Sequence, residues 1–427
     1  MPAQPRLWKT AYNRADVEAP PALVYRGETL GRMTVQDRDV FRAEAHAWLE
    51  ANCPRSMRTP MPEDEVVWGG RRASFKNPDS KIWLERMAEK GWTVPGWPKA
   101  YGGGGLSPAE TRILEDEMAR LGCRAPLLSF GIWMLGPVLL EFGSEAQKQE
   151  HLPKIARGEI RWCQGYSEPE AGSDLAGLKT RAVPQGEHFL VNGHKVWTSY
   201  ANYADWIFCL VRTDAMAKKH EGISFILIDM ADPGVRTRPI RLISGSSPFC
   251  ETFIENVRVP MANLVGGLNQ GWTIAKRLLE HERKMIASIG ERQRGAERSL
   301  GELGKSYIGT RDGRLADATL RDRIAQQEMD ALAFQLTRRR AAEEAKTGTP
   351  GPASAMFKYY GTELNKRRHE LLMAAGGTEA LEWDSDRSAN GLAAREWLRS
   401  KGNSIEGGTS EIQLNIIAKR ILNLPGN

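Results

Sequence analysis

Gly165-Tyr166-Ser167-Glu168-Pro169-Glu170-Ala171-Gly172-Ser173-Asp174-Leu175-Ala176-Gly177 separates a long helix-patterned region from a run of strand-patterned segments. The small residues Gly172, Ser173 and Gly177 let backbone amides approach a ligand closely. The hydroxyls of Ser167 and Ser173 can donate or accept hydrogen bonds. Glycine and Pro169 also fix turns, so spacing alone favours a plain surface turn.

Upstream of this loop, residues 1–30 read as an irregular arm and 31–160 as an α-helical domain. Phe41, Ala45, Trp48 and Leu49 repeat at helical spacing behind Thr34, a candidate cap. Further helices are expected over 80–90, from Ser107 or Pro108 to about Leu121, over 131–142 and over 144–156. The four glycines Gly102 to Gly105 follow no strand and precede no Lys-Ser/Thr, which makes them a loop rather than a phosphate cradle.

Downstream, residues 161–265 alternate as a β domain. Phe189-Leu190-Val191, Asn192-Gly193 and His194-Lys195-Val196-Trp197 read as a hairpin with an Asn-Gly turn. Strands continue over 206–212, 222–229, 235–243 and 251–259. Residues 266–427 are helical again, with long segments at about 271–305, 316–347, 351–375 and 408–423. Four helices of that length suggest an antiparallel bundle.

With 427 residues the chain is long for one core. Its 59 Lys and Arg against 53 Asp and Glu are interspersed, so the net charge of +6 does not point to nucleic acid. No apolar run is long enough to span a bilayer, and the polar start, Met1 to Pro21, lacks a signal-peptide core. Cys53, Cys123, Cys163, Cys209 and Cys250 are odd in number and never spaced Cys-x-x-Cys. With histidines that also lack ligand spacing, this argues against a metal site or a disulfide framework and for the cytoplasm.

Over thirteen positions the opening loop resembles the first signature of the acyl-CoA dehydrogenase family, Ser/Thr-Glu-Pro followed by Ala-Gly-Ser-Asp. The likeness extends from about residue 35 to 425. It takes in 92–109, Asn256-Val257-Arg258-Val259-Pro260 and the tail Gly408-Thr409-Ser410-Glu411-Ile412-Gln413. It implies an N-terminal α-helical domain, a middle antiparallel β-barrel or sandwich and a C-terminal four-helix bundle. It also implies FAD, an acyl-CoA substrate, an electron-transferring flavoprotein as acceptor, and a homodimer or homotetramer working in fatty acid β-oxidation. By position, Gln164, Tyr166 and Ser167 fall near the flavin ring, and Ser173 at a phosphate or the CoA arm. Trp197, Thr198 and Ser199 match the strand beside the ring. Gly376, Gly377 and Thr409 match residues that complete the cofactor site.

The family's adenine-binding Gln is replaced here by Met373, and residues 306–314 lack Arg-x-x-Phe-Gly. The family's tail carboxylate is also absent. Alignment puts Gly407 in its place, with Glu406 one step early. The Gly407 N–H could still bond a thioester carbonyl. A second family solution places the base on the first bundle helix before an arginine, and Leu279-Glu280-His281-Glu282-Arg283 fits. Ala275, Leu278, Leu279, Met285, Ile286 and Ile289 share an apolar stripe with Glu282, where a carboxylate must be paired, protonated or functional. Glu282 is the candidate base, against a buried structural ion pair as the alternative. Two other functions remain open on this scaffold: a flavin oxidase or desulfinase, and a flavin-poor partner subunit of a heteromeric dehydrogenase.

Overall fold

The computed structural model describes residues 34–294, 299–345, 356–388 and 390–425. The arm at 1–30 therefore lies outside the described residues.

Five helices build the N-terminal part: α1 (Val35–Asn52), α2 (Pro78–Glu89), α3 (Pro108–Arg120), α4 (Gly136–Phe142) and α5 (Glu145–Ala156). Their starts are written in the sequence. Thr34, Ser107 and Ser144 each accept a hydrogen bond from the backbone N–H three residues on, and the side chain there accepts one from the cap residue's own N–H. A turn of π-helix, Gly131–Leu135, leads into α4. The expected glycine loop follows α2. There a Cβ at Gly103 would collide with the Trp97 carbonyl, so only glycine lets the backbone fold over itself.

The middle part is one sheet. It contains β1 (Trp162–Gly165), β2 (Arg181–Gln185), β3 (His188–Ser199), β4 (Trp206–Arg212), β5 (Ile223–Asp229), β6 (Val235–Ile240), β7 (Phe249–Pro260) and β8 (Leu264–Val265). The order is β6-β7-β3-β2-β4-β5-β8, with β1 also on β4. Pairing is antiparallel except where β1 and β2 run parallel to β4. That edge of β4 is shared by the strands on either side of the signature loop, Trp162↔Trp206 before it and Arg181↔Arg212 after it.

The hairpin expected at Asn192-Gly193 is not a turn. β3 runs straight through both residues, and the hairpin closes between β2 and β3 instead, at Gly186-Glu187. Asn192 Oδ1 accepts from the Asn256 N–H at 2.9 Å, across a register shift with β7. A Cβ at Gly193 would fall on the Thr180 side chain. The Asn-Gly signal marks a bulge and a close approach, two further uses of the same residues.

Among the described residues six α-helices follow: α6 (Gly271–Arg294), α7 (Leu300–Ile308), α8 (Ala318–Ala345), α9 (Phe357–Gly376), α10 (Leu392–Ser400) and α11 (Ser410–Ile416). The expected first segment, 271–305, is thus two helices. Ser299 starts the second with its own capping box. A short ladder, β9 (Thr310–Arg311) with β10 (Arg314–Leu315), joins α7 to α8. α10 is a nine-residue helix lying between the expected segments 351–375 and 408–423.

One core binds helix and sheet. Leu135, Val138 and Leu139 meet Leu152 and Ile155, Tyr166 and Phe208, and Ile274, Ala275 and Leu278 of α6. This burial fixes α6 across the sheet, and so fixes where Glu282, one turn beyond Leu278, stands.

Candidate active site

β1 ends at the signature loop, and Gln164 on β1 donates from Nε2 to Glu282 Oε2 of α6 at 3.4 Å. Two residues placed near the reaction from sequence, 118 positions apart, are thus side by side. Tyr166 is buried in the shared core, edge-on to Phe208 and Phe225, and its hydroxyl has no hydrogen-bond partner among the described residues. Burial first, and the Glu282 charge second, push its phenol well above the ordinary value. Ala275, Leu278 and Leu279 lie on the buried face of α6 as the helical spacing requires. The side chains of Met285, Ile286 and Ile289 lie outside the described residues.

The loop itself is held by a pair the sequence reading missed. Lys195, fully buried on β3, donates to Glu168 Oε1 at 2.8 Å and to the Tyr166 carbonyl at 3.1 Å. Glu168 also accepts from the backbone N–H groups of Lys179 at 2.6 Å and Thr180 at 2.9 Å. Burial opposes its charge, but Lys195 and these hydrogen bonds outweigh it, leaving the carboxyl below its ordinary range. Glu168 and Ala171 exchange backbone hydrogen bonds at 3.0 Å, closing the turn around Pro169. Arg212 Nη2 donates to the Ala176 carbonyl at 2.6 Å and pins the far end. No local signal marks the pair, because Lys195 stands between His194 and Val196 as a surface strand lysine would, and only its burial demands a carboxylate.

Between these anchors, the Val196 N–H donates to the Ser167 carbonyl at 2.9 Å, so loop and β3 run edge to edge. Trp197 then has a φ of 60°, rare for a bulky residue, at a register shift between Lys195 and Thr198. Trp197 is 53 % exposed, and its ring meets the edge of Phe249, 6.0 Å away. Such strain persists where surrounding structure holds it, typically at binding sites. The Thr198 hydroxyl is buried without a partner, and Ser199 lies half-buried opposite Phe249. At the loop tip Ser173 is exposed, and a Cβ on Gly172 would meet nothing within 4 Å. These features fit a flat aromatic ligand with a phosphate arm: an uncovered indole, hydroxyls beside it and an open glycine tip.

The remaining sequence candidates occupy the C-terminal helices. Gly376 and Gly377 end α9, with Gly377 at φ 52° and its N–H donating to the Met373 carbonyl at 3.1 Å. Thr409 caps α11, accepting from the Ile412 N–H. Gly407 takes a left-handed φ of 62°. Its neighbour Glu406 accepts from Arg399 Nη2 at 2.7 Å and from Asn403. Arg399 also lies over the Phe249 ring at 5.5 Å, tying the tail to the strand that carries Trp197's neighbour. Among the described residues no His/Cys/Asp/Glu cluster could hold a metal, and no helix is long and apolar enough to cross a membrane.

Helix, sheet and helix follow in this order, with the Glu282 carboxylate of α6 beside the root of the signature loop. Profiles of the acyl-CoA dehydrogenase N-terminal, middle and C-terminal domains match residues 38–159, 163–257 and 269–422. The chain belongs to the acyl-CoA dehydrogenase family, oxidoreductases that in general bind FAD. Acyl-CoA dehydrogenase IpdE1 of Mycolicibacterium smegmatis is 33 % identical over 401 residues, covering 90 % of this chain and 97 % of its own. Acyl-CoA dehydrogenase FadE34 of Mycobacterium tuberculosis is 38 % identical over 340 residues, 79 % of this chain. The match spans only 45 % of FadE34's length. Among solved structures, the Tcur3481-Tcur3483 steroid ACAD superposes with a TM-score of 0.70 at 29 % identity, covering 92 % of this chain and 97 % of that one.

Proposed function

We propose that this chain dehydrogenates an acyl-CoA thioester to the 2-enoyl-CoA, with Glu282 as the base that takes the α-proton. The observation that carries this is the contact between Glu282 on α6 and Gln164 at the root of the signature loop. A carboxylate on an apolar helix face, facing the strand that opens the cofactor loop, is positioned for proton abstraction rather than for solvent. Gln164 orients the carboxylate by donating to it. The Gly407 N–H is the donor for the thioester carbonyl, where negative charge develops as the α-proton leaves. Ser167, Trp197, Thr198 and Ser199 hold the flavin ring beside Gln164 and Tyr166. Ser173 binds a phosphate or the CoA arm, and Gly376, Gly377 and Thr409 complete the FAD site. When bound, FAD supplies the acceptor for the β-hydride, and its electrons pass to an electron-transferring flavoprotein.

The substrate we favour carries a bulky acyl group. The family resemblance associates a base on this helix with branched, long or bulky acyl groups. The steroid ACAD named above supports a polycyclic acyl group. All five cysteines are free, which supports a reducing location such as the cytoplasm; the role in β-oxidation follows from the family resemblance.

The assembly has two readings. A homodimer or homotetramer follows from the family. A heteromeric dehydrogenase, in which a second chain completes the FAD site, is favoured by Met373 at the glutamine position and by the two-chain name of the steroid ACAD. FadE34 offers the same hint, since more than half its length lies beyond the match.

The visible spectrum of the purified chain, followed by anaerobic addition of acyl-CoA thioesters, tests these together. Flavin that bleaches with one thioester supports dehydrogenation and names the acyl class. A colourless chain that takes up FAD only when expressed with a partner supports the heteromer. Bound flavin that no thioester bleaches refutes the proposed reaction.

A further inference from the structure

Arg161 stands immediately before β1, in a box of aromatic rings. Its guanidinium carbon lies 5.0 Å from the ring centre of Trp68, 5.4 Å from that of Tyr203 and 5.5 Å from that of Tyr200. Trp68 comes from the loop between α1 and α2, and the tyrosines from the turn after β3. The loop presses this close because residue 70 is glycine. Its φ is 105°, and a Cβ there would fall 2.9 Å from both Arg161 Cβ and Asp205 Oδ2. Asp205 is buried, and its Oδ2 accepts from the backbone N–H groups of Arg71 at 2.9 Å and Arg161 at 2.8 Å. Arg71 meets Asp229 through both terminal nitrogens at 2.9 Å. Arg161 differs: among the described residues no acceptor hydrogen-bonds its guanidinium. The side chain is half-buried, and burial works against its charge. Ring faces stabilise a cation but leave the N–H edge of a guanidinium unused, and that planar fork matches a carboxylate.

From this box the rings continue towards the helix that carries Glu282. Trp68 lies 5.7 Å from Phe130, and Phe130 lies 6.5 Å from Trp133 in the π-helical turn before α4. Phe130, Trp133 and Leu279 of α6 all pack against the core that seats α6. Trp68, Phe130 and Trp133 are half-buried rather than sealed in that core. Arg161 precedes Gln164, the residue that meets Glu282, by three positions, about 10 Å of extended backbone. A fused-ring body spans that distance.

Building on Glu282 as the base towards a thioester, we propose that Arg161 binds a carboxylate at the far end of the acyl group. Trp68, Phe130 and Trp133 form the wall along which a flat or fused-ring acyl body lies between Arg161 and Glu282. The carboxylate accepts from the guanidinium edge and supplies the counter-charge that the rings do not. The substrate class is then the CoA monothioester of a dicarboxylic acid with an apolar middle. Its free carboxylate takes no part in the proton transfer and sets specificity only.

The test is calorimetric binding of two thioesters to the flavin-loaded chain, with any partner that flavin loading requires. One is a naphthylpropanoyl-CoA carrying a carboxylate on the ring far from the thioester, and the other is its methyl ester. The free acid is expected to bind the parent at least about tenfold more tightly, the scale of one charge-assisted hydrogen bond. Arg161→Met is expected to bring the two affinities together. Arg161→Lys, which keeps the charge but not the fork, is expected to hold part of the preference. Equal affinities in the parent overturn the proposal, as does a preference that survives Arg161→Met. Should Arg161→Met fail to fold, the parent and Arg161→Lys decide. Flavin bleaching, followed in the same samples, reports on the reaction separately. Bleaching without a preference refutes the carboxylate site and leaves the dehydrogenation standing. A preference without bleaching supports the site and refutes the reaction.

Discussion

Replacing Glu282 by Gln removes a proton acceptor while keeping side-chain volume. The amide can still meet Gln164, 3.4 Å away, by exchanging donor and acceptor between the two groups. Ala275, Leu278 and Leu279 keep α6 seated on the core, so the fold and the flavin loop are left intact. A positioned general base contributes roughly 10²- to 10⁴-fold to a proton transfer. At about 1.4 kcal/mol per tenfold, that is about 3–5 kcal/mol of barrier. The assay is anaerobic rapid mixing of the flavin-loaded enzyme with the thioester that bleaches the parent, following loss of visible flavin absorbance. Glu282→Gln is expected to hold flavin as the parent does and to be reduced at least a hundredfold more slowly, in line with the lower bound for a general base. Glu406→Gln, whose carboxylate Arg399 and Asn403 already hold, is expected to stay within about threefold, the effect of a peripheral change of under 1 kcal/mol. The reverse pattern, a fast Glu282→Gln and a slow Glu406→Gln, refutes the assignment of the base.

Lys195→Met leaves Glu168 buried without its counter-charge and is expected to cost about 3–5 kcal/mol, read as a lower denaturant midpoint together with weaker flavin retention. The double change with Glu168→Gln is expected to recover part of that loss. Glu168 has a depressed folded pKa, so its contribution is present above the ordinary carboxylate value and is lost as pH falls through the folded one. His151 acts in a higher window. Burial between Trp162 and Trp206 lowers its imidazole from 6.5 to about 4, so the unfolded chain takes up the proton first. Stability is expected to fall by up to about 3 kcal/mol between pH 6.5 and 4, and His151→Gln to flatten that slope in pH-dependent urea melts. Gly193→Ala drives a methyl into Thr180 and is expected to destabilise by about 1–3 kcal/mol in a thermal melt.

Local chemistry was legible in the sequence. The caps Thr34, Ser107 and Ser144, the proline and glycine stops, and the change from helical to alternating period depend on residues a few positions apart. Glu282 was legible as a candidate, because a carboxylate on an apolar stripe stands out at helical spacing. What tertiary structure alone decided involves pairs distant in the chain. Asn192-Gly193 has the composition of a tight turn, and only the approach of Thr180 and Asn256 shows it to be a bulge within a strand. Lys195 in β3 reads as a surface lysine until Glu168 is placed beneath it. The left-handed turn at Trp197 follows from the register slip against β7, which no local pattern encodes. Short-range backbone preference is fixed by neighbours in sequence, whereas a buried charge or a strained φ is stable only when distant elements close around it.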